Sequence, residues 1–241
     1  MNETLNLLHN HRSYREFDET YEIPDEELQA ILKAARQAPS WMNGQMYSIV
    51  VIKNPEIRKQ LVTWNPGNPH MLKSSVFLLF VVDLKRSAQI AEKHQVDYPV
   101  DEGLNPLIVA TTDTSLALQN TIIASESLGL GTVPVGSVRN HIEEISELLQ
   151  LPDYTYPLVG LSIGKPIVDM KVKPRLPEEA VIHYDTYQPY DYQLIEDYEE
   201  TMIRFAEARE TKTWTKKFAD YFKNKPAKNI DTYLRKQKLI K

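Results

Sequence analysis

Ser75-Val76-Phe77-Leu78-Leu79-Phe80-Val81-Val82-Asp83 is the most apolar run in the chain. It is far too short to cross a bilayer as a helix, which takes about 20 residues. Its β-branched and aromatic content and its polar ends read as a strand. A similar run, Met46 to Lys53, precedes it. Two shorter strands are predicted downstream, Gly131 to Gly136 and Pro157 to Ile163. These strands are too few, and wrongly spaced, for a doubly wound parallel sheet. The expectation is an α+β fold, a sheet flanked by helices.

The segments between the strands carry helical patterns. Thr4 to Leu8 reads as a short helix. Asp25 stands as a cap before Leu28, Ile31, Leu32 and Ala35 at helical spacing. That helix should stop before Pro39, and Pro39 to Gln45 is a polar loop. Pro55 to Val62 and Lys85 to Gln95 look helical, with a loop at Asn65 to Pro69. Leu107 to Leu128 is the longest helical pattern and closes on Gly129, a natural left-handed cap. His141 to Leu149 is another helix. Beyond Gly164-Lys165-Pro166 the character changes. Residues 171–191 read as an extended excursion, followed by helices at Tyr192–Ala208, Thr213–Lys223 and Ala227–Lys236. This charged tail is not expected to bury a core of its own, but to wrap onto the main body or a partner chain. The expected division is 1–165 as a core and 166–241 as the extension.

Composition narrows the function. The 241 residues carry a net charge of −5 and 42% hydrophobic residues, which suits a soluble globular protein and argues against a general nucleic-acid binder. There is no cysteine, so disulfides, thiolate catalysis and cysteine zinc sites are impossible. The opening, Met1 to Leu5, has neither the basic start nor the apolar run of a signal peptide, and no membrane segment is expected. A cytoplasmic location follows as the expectation. None of the six histidines forms a His-x-x-x-His pair or joins a carboxylate cluster at ligand spacing, so no metal is expected. A nucleophile elbow, a Walker loop and a Gly-x-Gly-x-x-Gly fingerprint are all absent. Any phosphate must be held mainly by side chains.

Such side chains are concentrated in His11-Arg12-Ser13-Tyr14-Arg15-Glu16-Phe17. Two guanidinium forks, a histidine and a hydroxyl within five residues suit a phosphate. A short basic run is ordinarily a solvated surface, so the other polar segments matter. Pro39 to Gln45 offers Ser40, Asn43 and Gln45. Gly131 to Asn140 offers backbone near Gly136 and Ser137, then Arg139. Lys173-Pro174-Arg175 sets two cations two residues apart. Together they describe a pocket for a flat, phosphorylated ligand.

The same residues resemble the flavin-dependent nitroreductase superfamily. The likeness is to its NADPH-preferring group of oxygen-insensitive nitroreductases and NADPH–flavin oxidoreductases. It rests on His-Arg-Ser-x-Arg-x-Phe at 11–17, the run Ala35 and Ala38–Gln45, and the helix Asp113…Ala117-Leu118-Gln119-Asn120…Ala124-x-Glu126. Arg139-Asn140, Leu151-Pro152, Lys173–Pro177 and Thr213-Trp214 complete it. The resemblance implies a nitroreductase-like fold, with a mainly antiparallel sheet and a C-terminal helical extension. It implies FMN as cofactor, NADPH or NADH as reductant, and a homodimer embraced by the tail, with Leu116, Ala117, Ile123 and Ala124 of the long helix permitting close approach.

Residue by residue, it places His11, Arg12, Ser13 and Arg15 on the FMN phosphate and ribityl side, with Lys173 and Arg175 completing it and Lys173 nearer the ring. Ser40, Trp41, Asn43 and Gln45 lie beside the isoalloxazine, and Pro134, Val135, Gly136 and Ser137 along it. Asn68 stands where close relatives usually carry glutamine. Trp41 and Pro134 depart from the group, which has a serine-rich run at the first position and often tyrosine at the second. Arg139, Arg204, Arg209 and Lys212 are the candidates for the NADPH 2′-phosphate, with Glu207 and Glu210 close to the tail arginines.

The implied activity is ping-pong hydride transfer from NAD(P)H through the flavin to a flat, electron-poor acceptor: a nitroaromatic, a quinone or free flavin. The alternative is a non-catalytic flavin or nucleotide carrier or sensor. Bleaching of a yellow protein by NAD(P)H, and recolouring by an acceptor, distinguishes the two.

Overall fold

The computed structural model describes residues 2–205, 210–223 and 230–241. Its elements are α1 (Glu3–His9), α2 (Asp25–Arg36), β1 (Tyr47–Ile52), α3 (Pro55–Trp64), α4 (His70–Lys73), β2 (Val76–Asp83) and α5 (Lys85–His94). They continue with α6 (Asn105–Ser127), β3 (Gly131–Val135), α7 (Ile142–Leu148), β4 (Thr155–Gly164), α8 (Gln193–Phe205), α9 (Trp214–Lys223) and α10 (Ile230–Lys236). The strands form one sheet in the order β1-β2-β4-β3, with every neighbouring pair antiparallel.

Every residue of β2 is buried, because both faces of the strand are covered. Val76, Leu78 and Phe80 turn towards α2 and α6, joining Ile31, Ala117, Leu161 and Ile163. Phe77, Leu79 and Val81 turn the other way and join Leu61 of α3, Ile145 of α7, and Val138 from the turn before α7. The run therefore reads as continuously apolar instead of alternating. Pro157 stands inside β4, whose register with β2 shifts between Phe80 and Val81. The missing N–H thus falls at an irregularity where the ladder is already broken.

The long helix α6 buries Ala110, Asp113, Thr114, Ala117, Thr121, Ile122 and Ser125. Thr114, Thr121 and Ser125 return their hydroxyls to the carbonyls four residues back, so this polar face carries its own hydrogen bonds into the core. Ala117 is fully buried inside this chain, and Asn120 donates to Ala34 O of α2. That small residue serves the α2–α6 contact within the protomer. Gly129 closes the helix with φ +75°, as its position after the apolar pattern predicts.

One local expectation is corrected. Asp25 is the first residue of α2 rather than its cap; Pro24 occupies the cap without a side-chain bond, and Asp25 pairs with Lys53 instead. His70–Lys73 forms a short helix with too few residues to show a periodicity. The predicted ends at Ala208 and Ala227 lie outside the described residues.

The chain clusters into two compact units, Met1–Met170 with Asn229–Lys241, and Lys171–Lys228. In the first, Tyr233, Leu234 and Leu239 pack with Val82, Val100 and Tyr156 at one end of the sheet. Tyr233 donates its hydroxyl to Ser146 Oγ at 2.7 Å. In the second, Trp214 packs edge-on between Tyr198 and Phe218. Glu199 accepts from Thr215 N at the start of α9.

Candidate functional site

The basic stretch is held as an added strand. Ser13 forms a parallel bridge with Thr132 of β3, and Phe17 an antiparallel bridge with Pro166. Tyr14 N donates to Thr132 O at 2.9 Å and Asp18 N to Lys165 O at 2.9 Å. Thr132 turns its backbone outward to this stretch, and strand alternation turns Pro134 the same way, so the residue without an N–H sits on the open side.

The side chains of this stretch are oriented individually. His11 Nδ1 donates to Glu126 Oε1 at 2.7 Å, and Thr132 Oγ1 reaches the same oxygen at 3.2 Å. The bond to Glu126 engages Nδ1 and leaves Nε2 as the other ring nitrogen. Arg12 donates from Nη1 to Asn10 O at 2.9 Å. Its Nη2 meets Asp169 at only 3.5 Å, and that carboxylate is 95% exposed. Arg12 Nε is buried without a hydrogen-bond partner. A guanidinium with an orphaned donor and a loosely held counter-charge suits an incoming anion such as a phosphate.

Asn68 and Ser137 are brought together, Nδ2 donating to Oγ at 3.0 Å. Pro134 and Gly136 are exposed while Val135 between them is buried. His70, buried beside this region, bonds Ser162 Oγ through Nδ1 at 3.1 Å. Burial, then the charge of Arg15, lowers its pKa from 6.5 to about 4. Arg139 is committed to the structure: Nη1 donates to Leu158 O at 2.6 Å, and the guanidinium lies against Gly136.

The loop with Ser40, Trp41, Asn43 and Gln45 precedes β1, at the opposite edge of the sheet from β3. Trp41 is 55% exposed and Met42 80%. Gly44 and Gln45 line a cleft of about 590 Å³ with Arg36, Arg86 and Ile90. Met42, Asn43 and Gln45 all take positive φ, at 49°, 56° and 49°. Left-handed backbone costs a side chain about 1 kcal/mol or more, asparagine least.

In the second unit, Lys173 pairs with Glu210 at 3.2 Å, as does Lys217. Burial opposes ionisation of Glu210, but the bonds from Lys217 and Lys173 hold its carboxyl below the usual range. Arg175 Nη1 donates to Lys173 O, and Tyr198 OH to Pro174 O. Arg204 makes an exposed helical pair with Glu200 at 3.7 Å. Arg209 lies outside the described residues.

The nitroreductase family matches residues 8–165, and the nitroreductase family C-terminal domain matches residues 173–241. The chain belongs to the nitroreductase family. This nitroreductase-family chain is 38% identical to an FMN reductase [NAD(P)H] of Bacillus subtilis, over 98% of both chains. It is 36% identical to an oxygen-insensitive NADPH nitroreductase of Salmonella typhimurium, again over 98% of both. The structure of the hypothetical oxidoreductase YcnD from Bacillus subtilis superposes with a TM-score of 0.94, at 36% identity and 98% coverage of each chain.

Two features of this nitroreductase-family site escape a reading of the sequence. Glu126, which orients His11, and Asp113, which meets the 40–46 loop, both lie on α6. The available signal was a carboxylate at a helix position otherwise given to small residues. Tyr14 is the other: it lies over Gly131, a contact across more than a hundred residues of chain.

Proposed function

We propose that this protein is an FMN-dependent NAD(P)H oxidoreductase that acts on flat, electron-poor acceptors such as nitroaromatics, quinones or free flavin. The orphaned, buried Arg12 Nε carries the reading. Relatives named for FMN and NAD(P)H match it over nearly their whole length.

FMN, when bound, would supply the redox chemistry of a ping-pong cycle between NAD(P)H and an acceptor. The protein supplies position and field. Arg12 and Arg15 hold the phosphate, and Ser13 adds a hydroxyl donor. His11, turned by Glu126, offers Nε2. Asn68, Ser137 and the backbone from Pro134 to Gly136 border the ring. Lys173 and Arg175 are cations for the charge of the reduced ring, an assignment resting on their motif. Exposed Arg204 is the preferred described candidate for the NADPH 2′-phosphate, since Arg139 is engaged with Leu158 and Lys212 with Asp220.

We further infer a homodimer. The 40–45 loop and the 11–17 stretch lie at opposite edges of a four-stranded sheet, roughly 14 Å across. Two symmetric copies would set the loop of one beside the arginines of the other. Exposed Ile108 and Leu116 on α6 support such a face. Among the described residues no helix is long and apolar enough to cross a membrane. A consumer of NAD(P)H works where that reductant is supplied, which supports a cytoplasmic location.

The test is made on purified protein. It should be yellow, bleach with NAD(P)H without oxygen, and recolour with a nitroaromatic. A chain that takes up no FMN overturns the reading. One that binds FMN but passes no electrons is a carrier or sensor.

A further inference from the structure

We propose that Asp113 is a positioning residue that fixes the 40–46 loop in its reactive shape; the proposal rests on the reading of that loop as part of the flavin site. Asp113 is 2% exposed on the buried face of α6. Its carboxylate leaves the helix and spans the loop. Oδ1 accepts from Trp41 N at 2.9 Å and Oδ2 from Met46 N at 3.2 Å. One side chain therefore holds both ends of the segment.

A cation answers from the other side. Arg86 of α5 donates from Nη2 to Gln45 O and Tyr47 O, each at 2.6 Å. Its Nη1 meets Asp83 Oδ2 at 3.0 Å. The anion takes the loop's N–H groups and the cation takes its carbonyls. Between these anchors Met42, Asn43 and Gln45 are left-handed, and Trp41, Met42, Asn43 and Gln45 are exposed. Packing therefore does not hold the shape. Inside the loop the bonds are short-range, Gly44 N to Trp41 O and Gln45 N to Ser40 Oγ. A buried carboxylate costs stability unless its oxygens are bonded. Here they are bonded only while the loop keeps this path, so the burial of Asp113 and the loop's conformation support each other. Asp113 is buried behind the loop, and it acts by aiming Asn43 and Gln45.

Asp113→Asn tests this in the full-length, FMN-loaded protein, with Thr114→Val as the neighbour that is equally buried. Thr114 is fully buried and returns its hydroxyl to Ala110 O within α6, so its replacement disturbs the packed core without reaching the loop. An asparagine keeps one acceptor oxygen and turns an NH2 against the other N–H. The expected result for Asp113→Asn is an altered visible circular dichroism of bound flavin and a KM for a nitrofuran acceptor raised about tenfold, with kcat within about threefold. Thr114→Val should lower the melting temperature and leave both readings as in the wild type. Parallel changes in the two variants, scaling with lost stability, would overturn the proposal. Amide exchange in the wild type needs no variant: Trp41 and Met46 N–H should be protected within an exposed loop, and exchange at the unprotected rate would equally overturn it. A wild type that takes up no FMN would remove the flavin reading, while amide exchange would still decide the clamp.

Discussion

Gly131 on β3 and Gly164 on β4 are cross-strand partners, and each lies against an aromatic ring of the arginine-bearing stretch. A Cβ on Gly131 would come within 2.9 Å of Tyr14 Cγ, and one on Gly164 within 3.0 Å of Phe17 Cδ1. The two rings can settle on the sheet only because both positions lack side chains. Gly131→Ala should therefore lift Tyr14 and shift the neighbouring Arg12. The overpacking should cost about 1–3 kcal/mol of stability and weaken FMN binding as well. Denaturant unfolding and FMN titration measure the two effects; an alanine variant with wild-type values in both would refute the contact.

The loose Arg12–Asp169 pair separates two roles. Arg12→Ala should weaken FMN binding about ten- to hundredfold, the loss of a charge-assisted bond of about 1.5–3 kcal/mol. Asp169→Asn should do the reverse and tighten it slightly, because a competing carboxylate is removed. Fluorescence titration reads both. Opposite signs are required; a loss of affinity in Asp169→Asn would mean that its carboxylate orients the arginine.

His70 gives the stability an acid limb. Its pKa is about 4 when folded, below the 6.5 of an unfolded histidine. The unfolded chain therefore binds the proton first. The stability due to the neutral imidazole is complete above pH 6.5 and is lost as pH falls towards 4. Between pH 8 and pH 5 the loss should be about 2 kcal/mol. Urea unfolding of wild type and His70→Asn at both pH values checks this: the variant should lose less on acidification, and equal slopes would exclude His70.

Arg58 is a buried cation met by carbonyls. Its guanidinium donates to Met71 O, Leu72 O, Ser74 O and Ser75 O, gathering the turn between α4 and β2. Arg58→Met leaves those acceptors unsatisfied and should cost about 3–5 kcal/mol. A loss below about 1 kcal/mol in guanidinium unfolding would show that water replaces the side chain.

Much of this architecture was legible in the chain, for reasons that differ by element. β2 declared itself because burial on both faces removes all polar residues from Val76 to Val82. Gly129 was legible because a helix end needs a left-handed residue there. The stretch from His11 to Phe17 was legible as a collection of donors, but not as a strand, since its partners Thr132 and Pro166 are supplied from far along the chain. Asp113 could be seen within a helical pattern, yet the N–H groups it receives lie 72 and 67 residues away. Asp25 misled because acidic first-turn residues and caps share a composition. Pro157 delayed the predicted start of β4, because a register shift is not written in local propensity.

The placement of α10 has a consequence for biosynthesis. Ser146 and Tyr233 bond across 87 residues, and Lys241 N reaches back to Asp101 O. A nascent chain can pair all four strands before residues 230–241 leave the ribosome, but it cannot seal that end of the sheet. Val82, Val100 and Tyr156 stay uncovered for as long as those residues remain in the exit tunnel. During that interval the half-made protein presents an apolar face to its surroundings. A chain released before residue 230 would hold all four strands and still be open to aggregation.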